Sequence, residues 1–402
     1  MRPPSFRGTF RNDLPARAMY AEGAGIARCV PAAVAVPCDG EDVRALVRWA
    51  RETGTALVPR GSGSGMAAGS VGPGVIVDLS RLDSTSGVER VGVGSHAAGS
   101  VRTGPGAIHA EVDRRAREAG LRFPVDPASA AFCTVGGMAA TNAAGARTLL
   151  FGATRSWVSA LDCVFADGAR ATIRRGEPMP LGVPAVARFV AQVPPLLAAG
   201  AAALEHAGVR KESSGYGLAH YARSGELVDL LVGSEGTLAI FVGVELALAP
   251  LPGATSSVLA AFLTLEAAVD GAARARAGGA SACELLDRTF LDVAALAPGS
   301  PTLPDDTEAV LLIEVEGENA PAAAALARQV GAESGAAGAG MVMLGLDPAT
   351  EMRLWALRHA ASPILARLDP ALKSMQFIED GCVPPGRLPA YVHGVRAALA
   401  GH

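Results

Sequence analysis

The sequence predicts an α+β protein built from two domains. The chain has 402 residues, of which 50% are hydrophobic and 18% are charged. This composition is too apolar for a disordered chain and supplies enough apolar residues for more than one core. From residue 32 onward, short apolar runs alternate with segments whose apolar residues recur at helical spacing. Because Ala247–Gly253 (ALAPLPG) interrupts this alternation, we predict an N-terminal arm over 1–30, a larger domain over 31–252 and a smaller one over 253–402.

The larger domain is predicted to begin with a strand, a helix and two further strands, after an irregular arm. Asp39 is a type of residue that caps helix N-termini, and Gly54 is the type that ends helices. Asp167-Gly168 is typical of a hairpin turn. In chain order the predicted elements are strand Ala33–Val36, the helix between Asp39 and Gly54, strands Ala56–Pro59 and Val75–Ser80, helix Ile108–Ala119, strand Leu161–Asp167, and a helical segment over 184–208 that Pro194 and Pro195 break.

The smaller domain shows a similar alternation, which is typical of an α+β unit. Its predicted elements are a helix over Thr264–Ala277, the apolar segment Ala282–Asp287, a strand over Val310–Glu318 and a helix over Ala320–Glu333.

Composition also excludes several classes of partner. The net charge is −4 and no block of Lys or Arg occurs, which argues against nucleic acid or an anionic membrane. The start of the chain lacks the apolar region of a secretory signal, and the longest apolar stretch, Val193–Leu204, is too short to span a bilayer. The six cysteines have no C-x-x-C spacing. We predict that they are buried, in a reducing cytoplasmic compartment.

Three glycine-rich stretches are candidate binding sites. Gly61, Gly63 and Gly65 alternate directly after a predicted strand, and such glycines serve either a structural turn or a backbone that closely approaches a phosphate. A strand follows them, whereas the dinucleotide fingerprint needs a helix, and no Gly-Lys-Ser/Thr of a P-loop is present. The other two stretches are Phe123–Gly145, with FPVDP, TVGGM and TNAAG, and Lys211–Leu238, with KESSGY and GSEGTL.

Together and in this order, the stretches resemble FAD-binding oxidoreductases of the vanillyl-alcohol oxidase type, in the D-lactate, glycolate and D-2-hydroxyglutarate dehydrogenase branch. The matching segments are VPRGSGSGMAAGSV, VIVDLSRL, FPVDPASAAFCTVGGMAATNAAGAR, FGATR, KESSGYGL and DLLVGSEGTLAI, and they span about Val30 to Leu251. The resemblance implies a PCMH-type FAD-binding domain of two subdomains, followed by a ferredoxin-like α+β cap domain. The family loop usually reads Arg-Gly-Gly-Gly-Thr-Gly, so Ser62 and Ser64 are departures, although both are small.

The resemblance implies that Gly61–Gly65 wraps the FAD pyrophosphate with backbone N–H groups. Members with covalent FAD carry a His near this loop, where Ser and Gly stand here, so we expect noncovalent FAD. His96 and His109 are predicted to be solvated or to cap helices. The residues expected to hold the cofactor are Arg60, Gly61, Ser62, Gly63, Ser64, Gly65, Pro124, Asp126, Thr134, Gly136, Gly137, Asn142, Gly145, Glu235, Gly236 and Ile240.

The cap domain is expected to bind the substrate. Trp355-Ala-Leu-Arg358 resembles the family's Trp-x-x-Arg stretch, and an Arg fork suits a carboxylate because it donates two parallel hydrogen bonds. Ser362 lies one helical turn further on, so it falls on the same face. Ile378–Pro384 resembles the forms of the family in which a flavin part is fused to an iron–sulfur part.

Related dehydrogenases carry a His-x-Gly-Asp-x-x-x-His stretch after this point. That stretch supplies metal ligands and the base, and this sequence ends at His402 without it. We therefore expect a truncated cap domain, no metal site in this chain and little turnover, with the divalent metal present only in a longer protein.

The resemblance implies an FAD-dependent dehydrogenase that oxidises a D-2-hydroxy acid by hydride transfer to the flavin N5. The acceptor of its electrons would be an iron–sulfur domain or subunit. That acceptor also allows a peripheral position at the inner membrane for an otherwise cytoplasmic protein. The alternative is a flavin-binding electron-transfer subunit of a glycolate-oxidase-like complex. A nicotinamide enzyme is disfavoured because a strand follows Gly65.

Overall fold

A computed structural model of the chain describes residues 5–90, 97–200, 206–209, 215–295, 301–365 and 381–401. The strands are β1 Thr9–Arg11, β2 Ala33–Val36, β3 Leu57–Arg60, β4 Val75–Asp78, β5 Glu89–Arg90, β6 Gly99–Thr103, β7 Leu121–Arg122, β8 Val158–Phe165, β9 Arg170–Arg174, β10 Ala239–Pro250, β11 Ala254–Phe262, β12 Ala282–Asp287, β13 Ala309–Gly317 and β14 Ala339–Gly345.

The helices pack on three sheets made by these strands. They are α1 Leu14–Met19, α2 Gly40–Thr53, α3 His109–Glu118, α4 Val135–Thr141, α5 Thr148–Phe151, α6 Pro184–Gly200, α7 Leu218–Ser224, α8 Leu227–Leu231, α9 Leu265–Ala277, α10 Arg288–Ala294, α11 Ala320–Ala336, α12 Pro348–Leu365 and α13 Leu388–Ala400.

The first sheet has the order β1-β2-β4-β3, and two of its pairings, β2 with β4 and β4 with β3, are parallel. Helix α2 packs its apolar face, including Val43 and Leu46, against this sheet. The predicted bounds of α2 are confirmed: Asp39 accepts hydrogen bonds from two backbone N–H groups at its start, and Gly54 ends it with φ 65°. Both capping devices satisfy backbone groups that a helix end leaves without partners.

The second sheet is antiparallel, with the order β5-β6-β10-β8-β9. Strand β10 runs through its middle and pairs with both β6 and β8. Its residues Ile240 and Val242 pack into the core of the first sheet, together with Val164. The two sheets therefore share one hydrophobic cluster, and they form the two parts of the N-terminal domain.

The third sheet is also antiparallel and has the order β12-β13-β11-β14. One face packs on α9 and α11, with Phe262 and Ile313 in the core. The other face packs on α10 and α12, with Leu259 and Leu312 in a second core. Strand β10 ends at Pro250 and β11 begins at Ala254, so the C-terminal part starts within the segment that interrupts the sequence pattern. The predicted α+β class is confirmed.

The N-terminal arm is not irregular, so that prediction is wrong. Strand β1 pairs antiparallel with β2, and α1 begins at Leu14 after Asp13 accepts a hydrogen bond from the Ala16 N–H. Strand β1 has three residues, which is too short for alternating polarity to show in the sequence. It pairs with the edge of β2 that would otherwise be open.

The predicted break of the helix at Pro194 and Pro195 is also wrong, because α6 runs from Pro184 to Gly200 through both prolines. Each proline removes one N–H donor and leaves a carbonyl four residues earlier without its partner. Ala191 is one of these carbonyl residues, and it is exposed, so water can take the place of the missing N–H. The hairpin at Asp167-Gly168 is confirmed, with Gly168 at φ 76°.

Burial of all six cysteines is contradicted in part. Cys133 and Cys163 are buried, whereas Cys38 and Cys382 are exposed and the other two are intermediate. All six are free thiols. Across the residues that the structure describes, no helix combines the length and the apolar character that a membrane crossing requires.

Candidate cofactor-binding cleft

A large cleft opens at the carboxyl end of the parallel sheet. Its volume is about 1210 Å³, which exceeds the roughly 300–1,000 Å³ typical of pockets for drug-sized ligands. The main walls come from the loop after β3, the start of α4 and the segment before β10, with Cys382 and Pro384 at one side. Ligands of open sheets with parallel strands commonly bind at this end of the strands.

The Gly61–Gly65 loop forms one wall of the cleft, and at two of its positions steric constraints require glycine. Gly63 has φ 75°, a left-handed conformation that side chains disfavour. A Cβ placed on Gly61 would lie 2.1 Å from the Oγ1 of Thr134. No heavy atom lies within 4 Å of a Cβ placed on Gly65, so the loop is closely packed on one side and open on the other.

The backbone of this loop is available to a ligand. Within the described ranges, the N–H groups of residues 62–65 donate to no protein acceptor. Ser62 and Ser64 contact each other through their hydroxyl oxygens at 3.3 Å. Successive free N–H groups in a glycine-rich loop form a concave site for an anion. The two departures from the family loop therefore keep small side chains and leave the backbone unobstructed.

Arg60 lies behind the loop and has protein partners already. Its guanidinium donates to the carbonyls of Glu22 at 2.9 Å and Ser70 at 3.2 Å, and it stacks on the ring of Tyr20 at 5.3 Å. Burial lowers the pKa of Arg60. The Ala24 N–H donates to the Gly63 carbonyl at 2.9 Å. The arm therefore supports the loop from behind, a role that no motif in residues 20–24 indicates.

The opposite wall begins at helix α4. Thr134 caps it and accepts a hydrogen bond from the Gly137 N–H at 3.2 Å. A Cβ on Gly136 would lie 2.4 Å from the Cβ of Pro105, so only glycine allows this approach. Asn142 ends the helix at φ 50°, and its Oδ1 accepts from the Arg155 N–H at 2.9 Å. Thr134, Gly136, Gly137 and Asn142 all line the cleft.

The segment before β10 completes the walls. Glu235 and Gly236 have φ 50° and 76°, both left-handed. The Glu235 N–H donates to the Ala140 carbonyl at 2.9 Å, which fastens this turn to α4. A Cβ on Gly236 would lie 2.8 Å from Pro59. Ile240 lines the cleft from β10, so these three predicted residues and the glycine loop share one cavity.

Pro124, Asp126 and Gly145 are not among the described residues that line the cleft, although Gly145 directly follows Ala144, which does. Pro124 is buried, and Gly145 is packed against the backbone of Asp126, because its Cβ would lie 2.2 Å from the Asp126 carbonyl oxygen. The carboxylate of Asp126 accepts from the Arg147 N–H at 3.2 Å. Asp126 and Gly145 therefore pack on each other beside Arg147, at the contact with the C-terminal domain.

A group of charged side chains joins the two domains there, and we call it the interface cluster: Asp126, Arg147 and Glu314, with Arg122 and Glu316 beside them. Arg147 donates to both carboxylate oxygens of Glu314, at 2.8 and 2.9 Å, and pairs with Asp126 at 3.2 Å. Arg122 donates to Glu316 at 2.6 Å. Both glutamates belong to β13, so the pairs connect the N-terminal domain to the third sheet.

Asp126 and Glu314, the two carboxylates that pair with Arg147, have pKa values shifted in opposite directions. Burial raises the pKa of Asp126 above its ordinary value, despite the nearby charge of Arg147. Burial also acts to raise the pKa of Glu314, but the hydrogen bonds and charge of Arg147 outweigh it, and the pKa is held below its ordinary value. The Ser281 hydroxyl adds a donor to Glu314 at 2.9 Å.

Arg358 lies on α12, close to this cluster. Its Nε is 3.3 Å from Oε2 of Glu284 on β12. Three residues earlier on the helix, the Trp355 indole donates to the Ser257 hydroxyl at 3.0 Å, which fixes this face of α12 on the third sheet. The side chain of Ser362 lies outside the described residues, as do Lys211–Ser214 and Ile378–Asp380 of the predicted motifs.

His109 is neither solvated nor a helix cap, so that prediction is wrong: it is buried, and Ile108 is the N-cap of α3. Its ring is 4% exposed, lies 5.6 Å from the Phe123 ring and bonds through Nε2 to the Val125 carbonyl at 2.7 Å. Burial lowers its pKa. The ring thus holds the segment that leads to Asp126. His96 lies outside the described residues. Among the described side chains, no three His, Cys, Asp or Glu residues are grouped as metal ligands.

The cleft geometry agrees with comparisons to known proteins. Residues 31–174 match an FAD binding domain, and residues 251–402 match the C-terminal domain of FAD linked oxidases. A D-2-hydroxyglutarate dehydrogenase of Xanthomonas citri is 29% identical, covering 92% of this chain and 68% of its own length. A D-lactate dehydrogenase of Archaeoglobus fulgidus is 27% identical over 89% of this chain and 68% of that protein. Glycolate oxidase subunit GlcD of Escherichia coli is 26% identical over 93% and 65%.

A solved structure of alkyldihydroxyacetonephosphate synthase matches with a TM-score of 0.59 over 87% of this chain and 60% of that one, at 16% identity. This likeness establishes the PCMH-type fold. The chain belongs to the FAD-binding oxidoreductases that combine an FAD-binding domain with an FAD-linked oxidase C-terminal domain. It spans about two thirds of the length of these curated relatives.

The residues of the cleft fit FAD. Its pyrophosphate needs a groove that backbone N–H groups line, and the open side of the Gly61–Gly65 loop provides one. Its length needs a cavity larger than that for a small ligand, which the cleft also provides.

Proposed function

We propose that the protein is an FAD-dependent dehydrogenase of D-2-hydroxy acids, of the lactate, glycolate or 2-hydroxyglutarate class. The observation that carries this proposal is the cleft that is lined both by residues 61–65, whose N–H groups at 62–65 have no described protein acceptor, and by the start of α4. The names of the relatives supply the substrate class, since they include dehydrogenases of D-lactate and D-2-hydroxyglutarate.

In this proposal the chain binds FAD noncovalently along the cleft. The N–H groups of residues 62–65 donate to the pyrophosphate, and Thr134, Asn142 and Glu235 border the rest of the cofactor. When bound, FAD supplies an acceptor for the two electrons that leave the substrate carbon as hydride. Arg60 acts indirectly, because its guanidinium holds the loop to the arm.

Arg358 is proposed to bind the substrate carboxylate. It lies on the face of α12 that meets the third sheet, next to the charged contact between the domains. A guanidinium recognises a carboxylate with parallel, charge-assisted hydrogen bonds. Ser362 is proposed to add a donor. A divalent metal that activates the hydroxyl and an iron–sulfur electron acceptor remain predictions from the family resemblance.

The test is a titration of the FAD-loaded protein with D-lactate, glycolate and D-2-hydroxyglutarate, without oxygen. We expect a change in the flavin absorbance band that the L enantiomers do not cause and that Arg358→Met weakens. Arg353→Met is the matched control, because Arg353 lies on the same helix, exposed, with a hydrogen bond to Thr350 at 3.2 Å.

Binding with bleaching of the flavin would show that residues 1–402 also hold the base, contrary to the expectation from the sequence. Binding without bleaching would place the base elsewhere. No response to any of these acids would contradict the proposed function.

The second candidate function is a flavin-binding subunit that transfers electrons within a complex. It is favoured by one relative, which is named as a subunit of glycolate oxidase. This candidate predicts that the flavin is reduced by a partner protein and that the Arg358→Met variant is reduced equally fast.

A further inference from the structure

We infer that Glu284 is a positioning residue, which holds Arg358 by its Nε so that the outer Nη groups are presented to a substrate carboxylate. This inference rests on the proposed function, because it concerns how the substrate-binding arginine is oriented. It is carried by the geometry of the Arg358–Glu284 contact and by its contrast with Arg147 at the same interface.

The contact uses only one side of the guanidinium. Nε of Arg358 lies 3.3 Å from Oε2 of Glu284, and the two side chains are 17% and 27% exposed. In the described part of the chain, neither Nη group of Arg358 has a hydrogen-bond acceptor. A guanidinium carries five N–H donors in a fixed fork. Within the part of the chain that the structure describes, the two Nη groups are therefore available to a further partner.

The neighbouring arginine shows what a purely structural pair looks like in this protein. Arg147 donates from Nε and Nη2 to both oxygens of Glu314, and its remaining Nη lies 3.2 Å from Asp126. Its guanidinium is thus bonded on both sides. Arg358 has one long contact in a similar, largely enclosed setting. Enclosing a charged guanidinium with so few partners costs free energy unless a further anion binds it.

The positions of the two residues also suit orientation rather than simple attachment. Glu284 belongs to β12, an edge strand of the third sheet, and Arg358 belongs to α12, which packs on that sheet. Trp355, on the same helix, is already fixed by Ser257. The helix therefore does not need the Glu284 pair to stay in place, whereas the long Arg358 side chain would otherwise sample several rotamers.

Holding one rotamer before binding removes an entropy cost that the ligand would otherwise meet. For one long side chain this cost corresponds to an affinity loss of up to about tenfold. We therefore expect Glu284→Ala to raise the Kd for a 2-hydroxy or 2-oxo carboxylate by up to about tenfold. We expect Glu284→Gln to stay within about threefold of wild type, because an amide oxygen can accept a hydrogen bond from the Nε–H.

The test is calorimetric titration of the FAD-loaded chain with pyruvate and with D-lactate, and with lactamide as the probe that lacks a carboxylate. Pyruvate needs no turnover to give a Kd. The variants are Glu284→Ala, Glu284→Gln, Arg358→Met and the double variant Glu284→Ala/Arg358→Met. Glu333→Ala is the matched control, because Glu333 pairs with Arg274 at the same distance of 3.3 Å, on an exposed surface of the C-terminal domain.

We expect weaker binding for Glu284→Ala, recovery in Glu284→Gln, no change in Glu333→Ala, and no further loss when Glu284→Ala is added to Arg358→Met. Equal or tighter binding in Glu284→Ala would overturn the inference, since Glu284 would then be a bystander or a competitor for Arg358. If Arg358→Met binds pyruvate as tightly as wild type, or if wild type binds none, the proposed carboxylate site itself is wrong. Thermal unfolding of each variant checks that it is folded.

Discussion

Arg147→Met tests whether the interface cluster stabilises the fold. Arg147 is the only described cation bonded to both Glu314 and Asp126, and Glu314 is 9% exposed. Removing the guanidinium leaves the carboxylates of Glu314 and Asp126 without their shared cation in a poorly solvated contact. Breaking a buried pair by removing one partner costs about 3–5 kcal/mol, and we expect the free energy of unfolding at pH 7 to fall by that amount.

Two companion variants make the magnitude informative. Glu314→Gln leaves Arg147 paired with Asp126, so we expect a smaller loss of about 1–3 kcal/mol. Arg274→Met removes a guanidinium from an exposed set of ion pairs with Asp270 and Glu333, for which we expect less than about 1 kcal/mol. Urea unfolding followed by circular dichroism measures all three.

The cost of Arg147→Met should also depend on pH. Arg147 holds the pKa of Glu314 below its ordinary value, so the stabilisation is present above the pKa that this group has in the unfolded chain. It is lost as pH falls through the lower, folded pKa. The difference between wild type and Arg147→Met should therefore be smaller at pH 4 than at pH 7. A cost below about 1 kcal/mol at pH 7, or one that grows on acidification, would refute this account of the cluster.

Three further predictions concern the cofactor and His109. Gly63→Val should abolish FAD retention, because Gly63 has φ 75° and an added Cβ would lie 2.5 Å from Arg60. The flavin-to-protein absorbance ratio measures FAD retention, and Gly65→Ala is a milder control. Full FAD occupancy in Gly63→Val would mean that the pyrophosphate binds elsewhere. Acid precipitation of the yellow protein should release the flavin into the supernatant, whereas colour in the pellet would show a covalent bond. Burial lowers the pKa of His109 below 6.5, so the folded state resists protonation and the free energy of unfolding should fall as pH drops below about 6.5. The His109→Gln variant, whose amide can donate to the Val125 carbonyl, should lose this part of the pH dependence. Identical pH profiles of stability for wild type and variant would contradict the prediction.

Local signals in the sequence predicted much of the fold. Helix α2 carries a capping aspartate and a terminal glycine, and each acts on backbone groups within a few residues. The glycines at 61, 63 and 65 locally indicated either a structural turn or a phosphate-binding backbone, and the family resemblance assigned them to FAD. Strand β1 was not predicted, because three residues are too few to show the two-residue alternation of polarity that is typical of a strand.

The interface cluster could not be predicted from sequence patterns. Arg147 and Glu314 are 167 positions apart, and Arg122 and Glu316 are 194 positions apart. Such pairs depend on how one domain packs on another, which no periodicity records. The same limit explains Arg60 and Arg358. The family resemblance assigned both to ligand contacts, but their protein partners, Glu22 and Glu284, lie far away in the chain.

The support that the arm gives to the glycine loop has a consequence for the order of events during synthesis. Tyr20, Glu22 and Ala24 leave the ribosome early, yet their partners at Arg60, Gly63 and Asp78 follow dozens of residues later. Because the chain grows from its N-terminus, residues 20–24 wait without these contacts until β3, the glycine loop and β4 have emerged. The nascent chain therefore acquires a loop shaped for FAD only when residues 20–24 meet Arg60, Gly63 and Asp78, and a fusion partner that restrains residues 5–25 would delay cofactor loading rather than catalysis.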